Sequence, residues 1–280
     1  MQRRNFLQAL PFSAAALART PRLKAALCAY SFRKELADKS LSYEDLIRKA
    51  VDWGVDGIDM TVYWFPSTND SFLLPLRRLA YKEGAQIYSI AVRTEFTRAT
   101  QAERDQEVKS AKNWVDIAGK LGAGHVRVFG GNVPKGLTED QAAANVVECL
   151  QRTAEYAAQK GIILGLENHG GITLQADRIL QIVRKVDSPW VQINLDTGNF
   201  KTDAFRQMEM CLPYAANVQV KAEMEDDSGK KIPQDWNRVV TMIANGGYRG
   251  YLSLEYEADE PAPQAVPRLL ARLRELCQST

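Results

Sequence analysis

Apolar, strand-like runs alternate with helical patterns eight times along this chain of 280 residues. The first strand-like run covers residues 25–32, the last covers 251–256, and glycine follows most helical segments, as at Gly84 and Gly122. Glycine commonly ends a helix because it adopts the left-handed backbone conformation at no steric cost. Strands that alternate with helices indicate a parallel sheet. Eight such units, without a glycine-rich dinucleotide fingerprint after the first strand, predict an α/β fold, a single (β/α)8 TIM barrel over residues 22–280.

The first residues have the pattern of an export signal. Residues 3–8 (RRNFLQ) resemble a twin-arginine motif, and a short apolar stretch rich in small residues follows. Residues 16–18 (ALA) fit a cleavage site, so we expect residues 1–18 to be a twin-arginine-type signal peptide and the protein to be periplasmic or otherwise exported. An ordinary amphipathic helix is the alternative. The stretch is too short to span a bilayer, and we expect no membrane-embedded segment elsewhere.

The composition is that of an ordinary globular protein, with 45% hydrophobic and 25% charged residues and a formal net charge of +2. A nucleic-acid-binding protein would normally carry a basic stripe, and none is visible, so we expect no nucleic-acid partner. The chain has four cysteines without C-x-x-C spacing, and each lies within an apolar run. We therefore predict buried free thiols rather than disulfides. These cysteines are Cys28, Cys149, Cys211 and Cys277.

Oxygen-bearing side chains end four successive strand-like runs in the second half of the chain: Glu167, Asp196, Gln219 and Glu255. Parallel strands bring their carboxyl ends to one face of a barrel, where active sites are built. Carboxylates held together there repel each other unless a cation or a proton is present. We therefore predict one divalent metal ion bound by these four residues. Oxygen ligands favour Mn²⁺, with Mg²⁺, Co²⁺ or Zn²⁺ as alternatives.

The chain also resembles the xylose isomerase-like TIM barrels, a group of sugar phosphate isomerases and epimerases. The resemblance is carried by four short motifs in order, at residues 166–169 (LENH), 195–199 (LDTGN), 218–221 (VQVK) and 254–257 (LEYE). It implies that Glu167 and Glu255 are the acid/base pair as well as metal ligands, with Asp196 as a third ligand. Two positions depart from the pattern, since Gln219 and Asn199 stand where the family usually has histidine.

Other side chains near the predicted strand ends are candidates for catalysis or substrate binding. Lys221 follows Gln219 by two residues and shares its strand face, so it is a candidate to neutralise an enediolate or donate a proton. His169 and Asn199 are expected to contact the substrate. The same is expected of Arg93 and Arg127, which end or follow the third and fourth strands.

Aromatic side chains follow the second predicted strand at residues 63–65, where Trp64 is expected to stack on a sugar. Packing in the core or under a lid is the alternative for these rings. The other histidine, His125, begins its strand at the opposite end of the barrel, and we predict a structural role for it.

Together with these residues, the resemblance implies a metal-dependent sugar isomerase or epimerase that transfers a proton through an enediolate. A divalent ion stabilises the enediolate as a Lewis acid, while carboxylates move the proton. Acidic residues crowd the loop after the seventh strand, which favours an unphosphorylated sugar or keto-sugar. A lyase or dehydratase of 3-keto-glycosides and a non-catalytic sugar-binding barrel are the alternatives. Barrels of this group often dimerise, which leaves a homo-oligomer open.

Overall fold

The computed structural model describes residues 22–280, and the predicted signal peptide at residues 1–18 lies outside the described residues. The strands of residues 22–280 are β1 (Leu23–Cys28), β2 (Gly57–Thr61), β3 (Gln86–Ala91), β4 (His125–Val128), β5 (Ile163–Glu167), β6 (Val191–Asp196), β7 (Ala215–Lys221), β8 (Glu223–Glu225), β9 (Lys231–Pro233) and β10 (Gly250–Glu255). Eight of them are parallel and close a barrel in the order β1-β10-β7-β6-β5-β4-β3-β2. The predicted TIM barrel is confirmed.

Helices connect consecutive barrel strands on the outside of the sheet. They are α1 (Arg33–Ala37), α2 (Tyr43–Asp52), α3 (Asp70–Glu83), α4 (Gln101–Leu121), α5 (Glu139–Lys160), α6 (Ala176–Val186), α7 (Ala204–Cys211), α8 (Trp236–Asn245) and α9 (Ala262–Gln278). The two longest helices, α4 and α5, each begin with a capping box, at Thr100 and Thr138. Both end at a left-handed glycine, Gly122 and Gly161. None of the helices between residues 22 and 280 is long and apolar enough to cross a membrane.

The main hydrophobic core lies between the barrel strands and the surrounding helices. The four cysteines are buried and free, as predicted. β1 ends earlier than the predicted strand over residues 25–32. Its last residue is Cys28, and a 3₁₀ turn at Ala29–Phe32 follows.

One element of the fold was not predicted from the sequence. β8 and β9 pair antiparallel in the loop after β7, within the segment expected only to be acidic. Asp226 stabilises the turn between them, since its side chain accepts hydrogen bonds from the backbone N–H groups of Ser228 and Lys230. Met224 is buried and anchors the hairpin to the barrel.

The strand register brings the polar side chains of neighbouring strands together inside the barrel. Glu167 on β5 pairs in register with Asn194 on β6. Asp196 pairs in register with Gln219 on β7, which in turn pairs in register with Ser253 on β10. The carboxyl ends of β5, β6, β7 and β10 therefore meet at one mouth of the barrel, as the sequence predicted.

Candidate active site

Three buried amides cross the barrel interior just below its carboxyl end, and we call Asn194, Asn217 and Gln219 the amide layer. The Nδ2 group of Asn194 donates to Oε1 of Gln219 at 2.7 Å, and that of Asn217 donates to Oδ1 of Asn194 at 2.8 Å. Gln219 in turn donates from Nε2 to Oδ2 of Asp59 at 3.1 Å. Tyr88 closes the network with a hydrogen bond to Asn217 at 3.0 Å. These bonds fix each amide in one orientation, as buried polar groups require.

Above the amide layer, five charged side chains surround the opening of the barrel, and we call them the charged mouth. They are Arg127, Glu167, Asp196, Lys221 and Glu255, all of them buried. Nε of Arg127 lies 3.0 Å from Oε2 of Glu167. Nζ of Lys221 lies 3.2 Å from Oδ2 of Asp196 and 3.1 Å from Oε1 of Glu255. It also donates to Glu257, which is more exposed than the other partners.

The charged mouth separates the pKa values of its carboxyl groups. Burial raises the pKa of Glu167 well above its ordinary value, and the charge of Arg127 offsets only part of this. Burial also raises the pKa of Asp196, to about 7, against the opposing charge of Lys221. At Glu255 the charges of Lys221 and Arg127 outweigh burial and leave the pKa below its ordinary value. Such a difference between two nearby carboxyl groups is typical of an acid/base pair.

A central cavity of about 300 Å³ opens at the carboxyl end of the barrel. Glu167 and Glu255 both line it, so the two predicted acid/base residues face the same space. The other residues that line it are Tyr30, Tyr63, Arg93, Arg127, Phe129, His169, Asn199, Lys221 and Glu257. The structure thus brings together all but three of the predicted site residues.

Asp196, Gln219 and Trp64 are the three that do not line the central cavity. Asp196 and Gln219 lie beneath its floor, and neither side chain is exposed to solvent. Trp64 stacks on Tyr30, with ring centroids 5.8 Å apart, so it packs against a residue that lines the cavity. Tyr63, its neighbour in the chain, presents its ring to the cavity instead.

The predicted substrate contacts surround the two carboxylates. The ring of His169 lies 4.1 Å from that of Phe129, and partial burial together with the charge of Arg127 lowers its pKa to about 4. The imidazole is therefore neutral at pH 7. Nδ2 of Asn199 approaches Oε1 of Glu167 at 3.4 Å. Arg93 lies over the ring of Tyr63, 4.3 Å from its centroid.

His125 occupies the opposite end of β4, as predicted. It is buried, and its Nδ1 lies 2.8 Å from Oγ of Ser89. A Cβ on Gly165 of the neighbouring strand would come within 2.1 Å of its Nε2, so the ring fills space that a larger residue there would take. His125 thus lies buried at the closed end of the barrel, where a structural role was predicted for it.

A comparison with known protein families decides the identity of the fold. Residues 47–276 match the model of the xylose isomerase-like TIM barrel. The chain belongs to the xylose isomerase-like TIM barrel family. Among curated proteins, no sequence matches this family member.

Solved structures similar to this xylose isomerase-like barrel include two epimerases. D-psicose 3-epimerase from Clostridium cellulolyticum H10 has 15% identity and a TM-score of 0.71, over 91% of this chain and 97% of the other. 3-Keto-D-glucoside 4-epimerase from E. coli has 15% identity and a TM-score of 0.71, over 91% and 99%. A xylose isomerase-like TIM barrel protein from Mycobacterium smegmatis in complex with magnesium has 20% identity and a TM-score of 0.71, over 92% and 96%. These likenesses show the shared fold.

The donor atoms of the charged mouth fit a divalent cation in kind. Its three carboxylates outnumber its two cations, and the buried Oδ2 of Asp196 has an ion pair with Lys221 but no hydrogen bond within residues 22–280. As they stand, no three His, Cys, Asp or Glu side chains within residues 22–280 are arranged as a metal site. Lys221 lies between Asp196 and Glu255, so a metal ion there would have to displace its ammonium group. Gln219 could become a fourth ligand only by giving up the hydrogen bond from Asn194.

The site contains residues that the sequence analysis missed. Tyr30 and Phe129 line the central cavity from the ends of β1 and β4, and Glu257 holds Lys221. Glu257 could have been found, because it ends the LEYE motif two residues after Glu255. Tyr30 and Phe129 follow the last residues of their strands, where periodicity no longer says which way a side chain points.

Proposed function

We propose that this protein is a sugar isomerase or epimerase that transfers a proton through an enediolate on an unphosphorylated sugar or keto-sugar. One observation carries the proposal. The carboxyl groups of Glu167 and Glu255 face a single cavity at the carboxyl end of a TIM barrel, each beside its own buried cation. Active sites of this fold lie at that end. The family membership and the two epimerases of the same fold support the same class of reaction.

The two carboxyl groups are suited to different roles in the proton transfer. Glu255 has the lower pKa, so it is ionised at pH 7 and acts as the base that removes a proton beside the substrate carbonyl. Glu167 has the higher pKa and supplies a proton on the other side. The guanidinium of Arg127 and the ammonium of Lys221 oppose the negative charge that develops on the enediolate. Acid/base help of this kind contributes about 10²–10⁴-fold in typical enzymes.

We extend the proposal to a divalent metal ion held by Glu167, Asp196 and Glu255, with Mn²⁺ as the preferred ion. When bound, it would supply Lewis-acid stabilisation of the substrate oxygens. The related barrel from Mycobacterium smegmatis in complex with magnesium supports this choice of ion class. Gln219 remains the fourth ligand predicted from the sequence.

An uncharged substrate agrees with the charges around the central cavity. Arg127 and Lys221 are both held in ion pairs with carboxylates, so Arg93 is the one lining cation that no ion pair within residues 22–280 engages. Glu257 adds a negative charge on the same wall. A phosphate would have Arg93 alone to balance its charge, because the other two cations already pair with carboxylates. The export of the protein, proposed from residues 1–18, also fits a sugar taken from outside the cytoplasm.

Solvent exchange tests the proposal directly. Ketoses and 3-keto-glucosides would be incubated in D₂O with the protein, before and after loading with Mn²⁺, Mg²⁺ or Co²⁺, and carbon-bound deuterium measured by NMR. We expect exchange with at least one sugar and its loss in Glu255→Gln, while Glu83→Gln, an exposed glutamate far from the mouth, behaves as wild type. Release of an aglycone instead of deuterium exchange would identify the protein as a lyase of 3-keto-glycosides. Absence of both reactions in all samples contradicts the proposed function.

Metal content is measured on the same samples by mass spectrometry. We expect about one divalent ion per chain in the wild type. Because Glu255 is a proposed ligand, Glu255→Gln should lose the ion and Glu83→Gln should keep it. Equal metal content in the two variants would remove Glu255 from the ligand set.

A further inference from the structure

A second cavity adjoins the central one, and we infer that it binds a second sugar unit, so that the substrate is a glycoside. The reacting ring would occupy the central cavity and its partner unit this neighbouring space. The inference rests on the proposed function for the position of the reacting ring. We call the second cavity the glycine groove, because Gly130, Gly131, Gly170 and Gly171 line it.

The glycine groove is continuous with the site of the proposed reaction. It encloses about 270 Å³ and shares two wall residues, Phe129 and His169, with the central cavity. The two rings lie 4.1 Å apart at 30° and form a single wall between the two spaces. A group attached to a ring in the central cavity therefore reaches the groove by passing the edge of this wall. Small-molecule sites usually enclose about 300–1,000 Å³, so the central cavity alone is at the lower limit of this range and the groove alone is below it.

Closely packed glycine backbone forms part of the wall of the groove. Gly131 has a φ of +110°, and a Cβ there would meet Oε1 of Glu95 at 2.3 Å. Gly171 has a φ of +51°, and a Cβ there would meet the carbonyl oxygen of Gly131 at 2.3 Å. The loops after β4 and β5 thus pack backbone against backbone, joined by a hydrogen bond from Ile172 N to Gly131 O at 3.0 Å. Glycine lets a ligand approach such peptide groups closely.

The chemistry of the lining selects a neutral, hydroxyl-bearing ligand. Among residues 22–280, no lysine or arginine lines the groove, and its histidine, His169, packs against the ring of Phe129. The acidic side chain in this lining, Glu95, is held in place because Oε1 accepts hydrogen bonds from Asn132 N at 2.6 Å and Thr97 Oγ1 at 3.0 Å. Oε2 makes no hydrogen bond within residues 22–280 and can accept from a sugar hydroxyl. A phosphate or carboxylate on the ligand would instead be repelled by Glu95.

The opposite side of the central cavity is less suited to a sugar unit. A smaller space of about 170 Å³ lies there, beyond Asn199 and Lys221. Charged side chains line it, and Lys201 and Glu225 form an ion pair at 2.6 Å. A neutral sugar placed there would have to compete with these paired charges. The glycine groove is therefore the side on which the second unit binds.

Calorimetry with matched sugars tests the inference without depending on turnover. The probes are a methyl 3-keto-glucoside and 3-keto disaccharides of α and β linkage, each titrated into wild type, Asn132→Trp and Lys135→Trp. Asn132 is exposed and lines the groove, so a tryptophan there fills it, whereas Lys135 is exposed nearby and lines neither cavity. We expect at least one disaccharide to bind about 10-fold more tightly than the methyl glycoside. This preference should disappear in Asn132→Trp and persist in Lys135→Trp.

Equal affinity for one and two sugar units in the wild type would overturn the inference, as would a preference that survives in Asn132→Trp. Glu95→Gln supplies a second test should the tryptophan variant fail to fold, since it removes the charge but keeps the shape; the disaccharide preference should shrink. The two proposals fail separately. A protein with no proton exchange that still loses its disaccharide preference in Asn132→Trp would refute the proposed reaction and support the groove.

Discussion

The amide layer and the charged mouth lie one above the other in the same barrel, yet they are built on opposite principles. In the amide layer, each of Asn194, Asn217 and Gln219 is hydrogen-bonded to another member. In the charged mouth, Oδ2 of Asp196 forms an ion pair with Lys221 but no hydrogen bond within residues 22–280, and the carboxyl groups of Glu167 and Glu255 face a cavity. Satisfied groups hold a structure in place, whereas groups with remaining capacity can bind a substrate or a metal ion.

Asn194 connects the two regions. It donates to Gln219 below at 2.7 Å and to Oε2 of Glu167 above at 3.2 Å. The amide layer therefore positions a predicted catalytic carboxylate through neutral contacts that do not change its charge. Activity and stability should therefore be separable in this barrel. Changes at the charged mouth should mainly affect activity, and changes in the amide layer should mainly affect stability.

The largest effect is expected at the mouth. Glu255→Gln should lower kcat by about 10²–10⁴-fold, because it removes the proposed base. Its free energy of unfolding should change little, since Lys221 keeps ion pairs with Asp196 and Glu257. Steady-state kinetics and urea unfolding would be measured on the same preparation. A kcat within a few-fold of wild type would show that Glu255 is not the base and that the charged mouth does not control activity.

Arg127→Met should have the next largest effect. It changes a residue of the charged mouth, but it should lower the free energy of unfolding as well as the activity. It takes the cationic partner from the buried carboxyl group of Glu167, and breaking a buried pair costs about 3–5 kcal/mol of unfolding free energy. The double variant Arg127→Met/Glu167→Gln should recover much of this loss, because neither buried partner is then left without the other. Urea unfolding of the two single variants and the double variant gives the coupling energy. Strictly additive losses would show that the pair is not coupled.

The position of these regions could be predicted from the sequence, but their internal arrangement could not. The alternation of strands and helices places Glu167, Asp196 and Glu255 at one end of a barrel, because parallel strands run in the same direction and end at the same face. The orientation of Gln219 depends on Asn194 and Asp59, two residues far apart in sequence that no local pattern connects.

Loops limited the prediction more than strands did. Trp64 was chosen as the stacking residue, but the alternation of β2 ends at Thr61, and it is Tyr63 that lines the cavity. The β8–β9 hairpin was missed because strands of three residues carry too little periodicity to be recognised. The residues of the glycine groove likewise lie on loops, where backbone conformation rather than side-chain pattern decides the shape.

Asn217→Leu tests the amide layer itself. The change removes the acceptor of Tyr88 Oη and the donor to Asn194 Oδ1, and each buried group left unpaired costs about 1–3 kcal/mol. The free energy of unfolding should fall by that order while kcat stays near wild type. Adding Tyr88→Phe should cost less than the sum of the two single changes, because the orphaned hydroxyl is gone. A fall in kcat without a loss of stability would reverse the roles assigned to the two regions.

The smallest effect concerns His125, at the far end of the barrel from the charged mouth. Burial and the charge of Arg127 lower its pKa to about 3, while an unfolded histidine titrates near about 6.5. Between these values the unfolded chain binds more protons than the folded protein, so stability falls as the pH falls. The contribution should be about 1 kcal/mol between pH 6 and pH 5. Urea unfolding at both pH values measures it, as the difference between wild type and His125→Asn.

The matched control for this titration is His169→Asn, which removes the other histidine of the chain but leaves the buried one in place. The pKa of His169 is lowered to about 4, so between pH 6 and pH 5 both histidines lie in the range where only the unfolded chain is protonated, and each variant should lose a similar part of the acid destabilisation. Below pH 4 the folded protein protonates His169 but keeps most of His125 neutral until about pH 3. His169→Asn should therefore retain the further loss of stability between pH 4 and pH 3, and His125→Asn should not. An equal response of the two variants in that lower range would show that burial at the closed end of the barrel does not distinguish the two histidines.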